Sequence, residues 1–525
     1  MTGVVYDVAI VGYGPSGAVA AGLLGQAGMQ VYVCDRISAV YDKPRAIALD
    51  HEIQRVFQQL GVMGEIEPYC EPFTDSCYYG VDGQLIRRMT MVDKPYPQGY
   101  IPSIVFTQPP VEAVLRRKVA SLPSVTVDLG VTVTGLQQDD KHQEQQPDET
   151  LVHLTVENQD GHSRTISARY VIGCDGASST VRSLSGITLE DLDFDEPWLV
   201  VDVLANEQGL QKLPQTSVQY CEPERPCTFV IGPGNHRRWE ISLKEGEDPQ
   251  LAATPEGTWQ LLQRWITPDD AQLWRQASYR FHALVAGCWR AGRVFIAGDA
   301  AHQQPPFLGQ GMCQGVRDVS NLVWKLLSVL NKTIDGEAAE RLLDSYGVER
   351  KEHVRQLTTT IKAIGAVICE RDADKARARD QKLLSDCQGT VRPTPRQDVL
   401  PRLTTGLISE STAAGSLFPQ PWVASAAGAE RMDQQLGHGW RLITLTESTG
   451  AVDEQLRTLL SLTVARLGSD QLTEQDNVLA GWFDRHQVTA ALVRPDNYVY
   501  GTAATHEALL VLQRQLLQTL SGKES

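Results

Sequence analysis

A strand, a glycine turn, a helix and a second strand fill the first thirty-odd residues, and this unit constrains the fold more than any other feature. Tyr6 to Val11 is a short apolar run with β-branched residues, and Gly12-Tyr13-Gly14-Pro15-Ser16-Gly17 follows without a spacer. Ala18 to Ala27 is rich in Ala and Leu, and Gln30 to Cys34 is a second apolar run closed by Asp35 and Arg36. The pattern predicts a βαβ unit in a doubly wound α/β sheet. Gly12, Gly14 and Gly17 have the spacing GxGxxG. Glycine there lets the backbone approach a pyrophosphate, whose charge meets the helix N-terminus. Asp35, at the end of the second strand, is placed to accept hydrogen bonds from ribose hydroxyls. The alternative is a plain turn with a surface aspartate, and the strand, helix and acidic residue in sequence weigh against it. The motif predicts a dinucleotide without separating NAD from FAD.

The chain has 525 residues, enough for about three domains. At 42% hydrophobic and 21% charged residues it can bury large cores. Lys and Arg total 48 against 64 Asp and Glu, a net charge of −16 that argues against nucleic acid as the main partner. Ten cysteines include no CxxC pair and there is no HExxH, so neither a disulfide framework nor a metal site is expected. That usage suits the cytoplasm. No apolar run reaches the ~18–20 residues of a membrane helix. The apolar N-terminus lacks a basic leader and contains Asp7, so no secretory signal is expected.

Further along, residues 138–150 are polar and aperiodic, predicting an exposed hairpin loop between strands near 125–135 and 151–157. From about 190 to 290 the chain is rich in Trp, Pro and strand-like segments. Residues 227–242 predict a hairpin turning at Pro233-Gly234-Asn235. Val316, Val319, Leu322, Val323, Leu326, Leu327 and Leu330 mark one face of an amphipathic helix. Charged helical sequence continues from Glu337 to about Ala376, and residues 388–425 have the composition of a linker.

Two later segments bear on the cofactor. Arg169 to Gly176 (RYVIGCDG) and Arg293 to Asp299 (RVFIAGD) are apolar strands ending in glycine and aspartate. A carboxylate at such a strand end needs donors, and ligand hydroxyls are natural ones. The alternative is a pair of helix caps. It suits Asp175, before Ala177-Ser178-Ser179, better than Asp299, which Pro305 and Pro306 soon follow.

Together, GxGxxG, Asp175-Gly176 with Arg182, and Gly298-Asp299-Ala300-Ala301-His302 with Pro305-Pro306 and Gly309-Gln310-Gly311 resemble the FAD-dependent aromatic hydroxylases, the class A flavoprotein monooxygenases. The resemblance implies tightly but non-covalently bound FAD, with NADPH or NADH as co-substrate. It carries FAD contacts over to Gly12, Gly14, Pro15, Ser16, Gly17, Asp35, Arg36, Arg45, Gln108, Asp175, Gly176, Arg182, Gly298, Asp299, Pro306, Gly309, Gly311 and Met312. Cys313 stands where the family often has Asn, and His302 is implied to be structural. Arg237-Arg238-Trp239-Glu240, Gly415 to Pro421 and Leu492 to Tyr500 resemble the branch of 3-(3-hydroxyphenyl)propionate, resorcinol and polyketide hydroxylases.

The implied fold is a Rossmann-like FAD-binding domain (1–75, 100–190 and 285–390) interleaved with an antiparallel β-sheet substrate domain (76–99 and 191–284). A thioredoxin-like α/β domain (391–525) follows; it has no cysteine and so no redox pair. A homodimer is compatible with the family. The implied reaction reduces FAD with NAD(P)H, forms a C4a-hydroperoxyflavin with O2 and hydroxylates a small, electron-rich phenolic ring. A base near the ring would aid it. Candidates are Asp50, His51, Tyr220 and Arg238, with His236 nearby, against the alternatives of a helix cap at Asp50-His51 and an exposed arginine pair at Arg237-Arg238. Two other functions stay open: a tailoring monooxygenase on a polycyclic or N-heteroaromatic metabolite, and a flavin-binding protein that shelters an intermediate without oxygenating it.

Overall fold

The computed structural model describes residues 4–139, 150–391, 393–426, 428–445, 452–468 and 472–521. Val5–Val11 is the central strand of an eight-stranded sheet, parallel to Ser163–Gly173 on one side and Val31–Asp35 on the other. Val294–Ile296 and Val125–Leu129 extend the parallel set outward. Val8 to Ile10, Val31, Val33, Val171 and Ile172 have no exposed surface. Both faces of this sheet are covered, which is why its strands read as continuous apolar runs. The helix Pro15–Gln26 follows the glycine turn and packs against the helix Gly311–Leu330. Val131–Gln138 and Val152–Asn158 pair antiparallel, as the expected hairpin requires. The tip of that loop lies outside the described residues.

A nine-stranded sheet stands beside it. Its spine is the long antiparallel pair Leu189–Ala205 and Ala271–Ala286. His236–Ser242, Cys227–Ile231, Ser217–Tyr220, Ser76–Tyr79 and Leu85–Thr90 continue it in that order. The hairpin turns through Pro233-Gly234-Asn235, where Gly234 adopts a φ of 57°. Alternation along the strands sorts the side chains. Leu199, Val201, Val203, Phe229, Trp239 and Ile241 fill a core on one face. Val200, Arg238 and Glu240 point to the opposite face.

Two edge strands depart from the expected division of the chain. His302–Gln303 pairs with Ala271–Ala286, and Pro393–Pro395 pairs with Leu85–Thr90. Residues 393–399 are therefore not a free linker. Arg396 is buried and donates to the Leu308 carbonyl. Prolines suit an edge position because they need no partner for a missing N–H.

The helix Gly311–Leu330 also departs from expectation, since it has no wet face. Arg317, Asp318, Asn321 and Lys325, on its polar side, are no more exposed than its leucines. Partners remote in sequence satisfy them. Arg317 pairs with Asp50 and Glu52, Asp318 with His302 and Arg350, and Lys325 with Glu349.

After residue 415 the chain forms a four-stranded mixed sheet. Arg441–Thr444 is parallel to Thr463–Arg466 and antiparallel to Ala490–Val493, which pairs antiparallel with Val499–Ala503. The helix His506–Ser521 covers it through Leu509, Leu512, Leu516 and Leu520. No helix among the described residues is long and apolar enough to cross a membrane.

Candidate active site

A cavity of about 700 Å³ runs from the glycine turn to the free face of the nine-stranded sheet. Gly12, Gly14, Pro15, Ser16, Asp35 and Arg36 line its first part. Arg45, Gln108, Asp175 and Gly176 form a second wall. Gly298, Asp299, Pro306, Gly309, Gly311 and Met312 form a third. The three motifs, separated by up to 300 residues, meet here because the parallel strands carrying them end on one side of the sheet.

The turn requires its glycines for two reasons. A Cβ on Gly12 would lie 2.3 Å from the Cys174 carbonyl oxygen, and one on Gly17 would lie 1.9 Å from the Gly12 carbonyl oxygen. Gly17 therefore stands behind the wall and packs the turn against the helix. Gly14 differs, since nothing lies within 4 Å of where its Cβ would be. It opens a cradle at the N-terminus of the helix Pro15–Gln26. Asp35 braces this turn, accepting from the Tyr13 N–H at 2.6 Å and the Ile37 N–H at 2.8 Å.

Gln108 Oε1 accepts from the backbone N–H of Arg45 at 3.0 Å and of Ala46 at 2.6 Å, so it holds the Arg45 loop. Asp175 accepts from Val181 N–H at 3.0 Å and from the hydroxyl of Ser179, the residue that caps the helix Thr180–Leu184, while its loop faces the cavity. Arg182 does not reach the cavity. It donates to the carbonyls of Ala300 and Ala177, both at 2.9 Å, and so ties the second wall to the third.

Asp299 faces the cavity, yet enclosure by protein raises its pKa, against the pull of His302 and Arg45. Its neighbour Gly298 donates to Asp318 at 2.9 Å, and His302 Nε2 meets the same carboxylate at 2.8 Å. His302 is buried and stacks on Trp289, a structural placement. The helix Gly311–Leu330 begins at the cavity without a side-chain cap. Its first N–H groups and the positive end of its dipole face whatever binds there.

The far end of the cavity is the sheet face carrying Val200, Arg238, Glu240, Arg275, Tyr279 and Phe281. Arg238 grips Asp202 (Nε to Oδ1, 2.7 Å) and donates to the carbonyls of Arg45 at 2.8 Å and Pro44 at 3.2 Å. Arg275 donates to the Pro44 carbonyl at 2.8 Å. These two guanidiniums fasten the Arg45 loop to the sheet. Burial raises the Asp202 pKa, but Arg238 and His236 outweigh it and hold the carboxyl at about 2. Glu240 is the reverse case. Burial lifts its pKa to about 7, with Arg238 opposing and Asp202 assisting.

Three of the four proposed catalytic residues lie elsewhere. Asp50 caps the helix His51–Gln59, accepting from Glu52 and Ile53 N–H, and pairs with Arg317. His51 is buried beside it, and burial drops its pKa to about 4 despite Asp50. Tyr220 sits on the core side of the sheet, and its hydroxyl accepts from Trp265 Nε1 at 3.1 Å. His236, also outside the cavity, binds Asp202 at 2.7 Å. Only Arg238 lines the cavity, in a positioning place. Sequence reasoning passed over Glu240, Arg275, Tyr279 and Phe281. Glu240 was within reach, because strand alternation puts it on the same face as Arg238.

The cavity fits FAD in kind: an open glycine cradle at a helix N-terminus, two carboxylates at strand ends and a second helix N-terminus. Comparison with known proteins agrees. Residues 5–360 match the family model described as FAD binding domain, and residues 415–518 match that described as HcaD C-terminal domain. A Rhodococcus jostii protein named "Probable NADH-specific resorcinol 4-hydroxylase" is 34% identical, over 98% of this chain and 95% of its own. The 3-(3-hydroxy-phenyl)propionate/3-hydroxycinnamic acid hydroxylase of Burkholderia cenocepacia is 32% identical over 97% of each chain. The flavin-dependent monooxygenase PieE, solved with FAD and substrate, superposes with a TM-score of 0.81 at 20% identity, covering 98% of this chain and 99% of its own.

Proposed function

The chain belongs to the FAD-binding-domain family of flavin monooxygenases, and from that premise we propose that it hydroxylates a small phenolic ring with NAD(P)H and O2. The observation that carries this reading is one cavity joining all three flavin motifs to an aromatic-lined sheet face. FAD held in this cavity would supply the redox chemistry, the transfer of nicotinamide electrons to O2 and of one oxygen atom to the ring. The chain's own residues do the rest.

The cradle at Gly14 and the N-terminus of Pro15–Gln26 receive the pyrophosphate. Asp35 and Asp299 would accept hydrogen bonds from the sugar and polyol hydroxyls. The N-terminus of Gly311–Leu330 would present positive potential to the bound flavin. Val200, Phe281, Pro305 and Pro306 supply an apolar wall that keeps water from the reacting carbon.

In this reading the two larger sheets are the FAD-binding and substrate domains, interleaved along the chain. The last block is a thioredoxin-like domain without redox function, a reading supported by its four-stranded mixed sheet with flanking helices. Ten free cysteines support a reducing cytoplasm as its place of work.

The test is purification of the yellow protein and measurement of NADH oxidation with resorcinol, 3-(3-hydroxyphenyl)propionate and polycyclic phenols. Hydroxylated product and H2O2 are quantified together. Faster NADH oxidation with matching product is expected. Oxidation that no aromatic accelerates, or that yields only H2O2, overturns the proposal.

A further inference from the structure

We propose that Glu240 is the acid–base residue that binds the substrate's hydroxyl group and takes its proton, and that this site selects uncharged phenols over phenols bearing a carboxylate. The proposal rests on the hydroxylase reading above and deepens it.

Glu240 is 6% exposed and lines the cavity. No hydrogen bond or ion pair among the described residues ends on its carboxyl group. A buried carboxylate without a donor is costly, and structural carboxylates do not stay in that state. Asp202, on the neighbouring strand, has two arginine partners and His236. The carboxyl of Glu240 thus presents open acceptor sites to the cavity, beside an apolar wall made by Val200 and Phe281. A phenolic hydroxyl is the complementary donor.

The charged and titratable groups around Glu240 come from each adjoining element. Arg238 is on its own strand, and Asp202 is on the strand beyond Val200, its cross-strand partner. Arg275 and Tyr279 come from Ala271–Ala286, and the Cys227 thiol from Cys227–Ile231. Their balance leaves Glu240 titrating near neutrality, a suitable range for a base working on a phenol. The step moves one proton. The phenol O–H bond breaks, its electron pair stays on oxygen as phenolate, and the proton passes to Glu240, which becomes neutral. Arg238 and Arg275 stay close enough to offset the phenolate charge. The proton returns to the product oxygen when the hydroxylated ring leaves.

The same arrangement excludes a substrate carboxylate. Arg238 and Arg275 already share Asp202 and the Pro44 and Arg45 carbonyls, and Arg280 is held by Asp195. Among the described residues of this sheet face a carboxylate would find no uncommitted cation, and above pH 7 it would meet the like charge of Glu240.

The experiment compares FAD-loaded wild type with Glu240→Gln between pH 5.5 and 9. Resorcinol binding is read from flavin fluorescence, and kcat/KM from hydroxylated product. Wild type should show an acid limb near pH 7 in kcat/KM. Glu240→Gln should lose that limb and about 100-fold or more of kcat/KM at pH 8, with its flavin content unchanged. Resorcinol should exceed 3-(3-hydroxyphenyl)propionate in kcat/KM at least tenfold. A variant that keeps the limb and stays within threefold of wild type overturns the acid–base role. If the variant fails to retain FAD, the wild-type profile decides, and absence of any ionisation between pH 6 and 8 overturns the role. Preference for the carboxylated phenol overturns the selectivity. If wild type hydroxylates no phenol at all, it is the hydroxylase reading that fails.

Discussion

Two regions of this molecule bury carboxylates, and they treat them oppositely. Along the seam where the helices His51–Gln59 and Gly311–Leu330 meet the C-terminal block, the buried acids among the described residues are matched. Asp433 sits between Arg55 (2.5 and 2.8 Å) and Arg441 (2.6 Å). Glu349 takes Lys325 at 2.9 Å, Arg494 at 2.7 Å and Asn321 at 2.7 Å. Tyr498 donates to Glu52 at 2.9 Å. Burial raises the pKa of Asp433 and of Glu349, but their cations win and hold both well below the ordinary range. On the cavity face Glu240 is also buried but has no such partner, and its pKa rises instead. Burial alone therefore does not mark a functional acid; burial with an unfilled acceptor does.

The contrast can be broken from either side. The largest effect is expected at the seam. Asp433→Ala leaves Arg55 and Arg441 buried without a counter-charge, a loss of about 3–5 kcal/mol of stability, read as a lowered urea midpoint. An unchanged midpoint would mean the seam is not desolvated.

Next is the pH dependence of Glu240. Its folded pKa lies above the unfolded 4.5, so the folded state holds the proton more tightly. Stability should fall as pH rises from about 4.5 to 7, by about 3 kcal/mol in all at ~1.4 kcal/mol per unit. Glu240→Gln should gain that amount over wild type at pH 8 and nothing at pH 4.5, measured by denaturant titration at both values. Asp202 has the opposite sign. Its folded pKa of about 2 lies below 3.8, so its contribution is full above pH 4 and lost as pH falls through 2.

Asp299→Ala probes the cofactor end of the same cavity. Losing hydrogen bonds to a charged acceptor costs about 2 kcal/mol, or roughly 30-fold in FAD affinity. The ratio of absorbance at 450 and 280 nm after gel filtration measures it, and full flavin retention would remove Asp299 from the site. The smallest effect is expected for Tyr498→Phe, which removes one buried hydrogen bond to Glu52 for about 1–2 kcal/mol. Its thermal midpoint should drop slightly, with flavin content intact.

Much of this architecture was legible in the chain. The βαβ unit, the hairpin at Pro233-Gly234-Asn235 and the strand ends at Asp175 and Asp299 all rest on local rules of alternation and close approach. The helix Gly311–Leu330 shows where such rules stop. Its apolar stripe is real, but its polar side implies solvent, and the structure supplies Asp50, Glu52, Glu349 and Arg350 instead. Asp50 follows the Arg45 segment and so reads locally as a candidate base, but its partner Arg317 lies 267 residues away. Glu240 is legible only in part: alternation puts it on the face of Arg238, but nothing local shows that its carboxyl lacks a partner.

The sequence by itself determined the flavin end of this protein, since backbone approach at Gly12 and Gly17 depends on steric facts carried by those residues. Tertiary structure decided which buried charges are silent and which are available. Pairing and desolvation depend on groups brought together from distant parts of the chain, as with Tyr498 and Glu52, 446 residues apart. No pattern along the chain encodes that a partner is missing at Glu240.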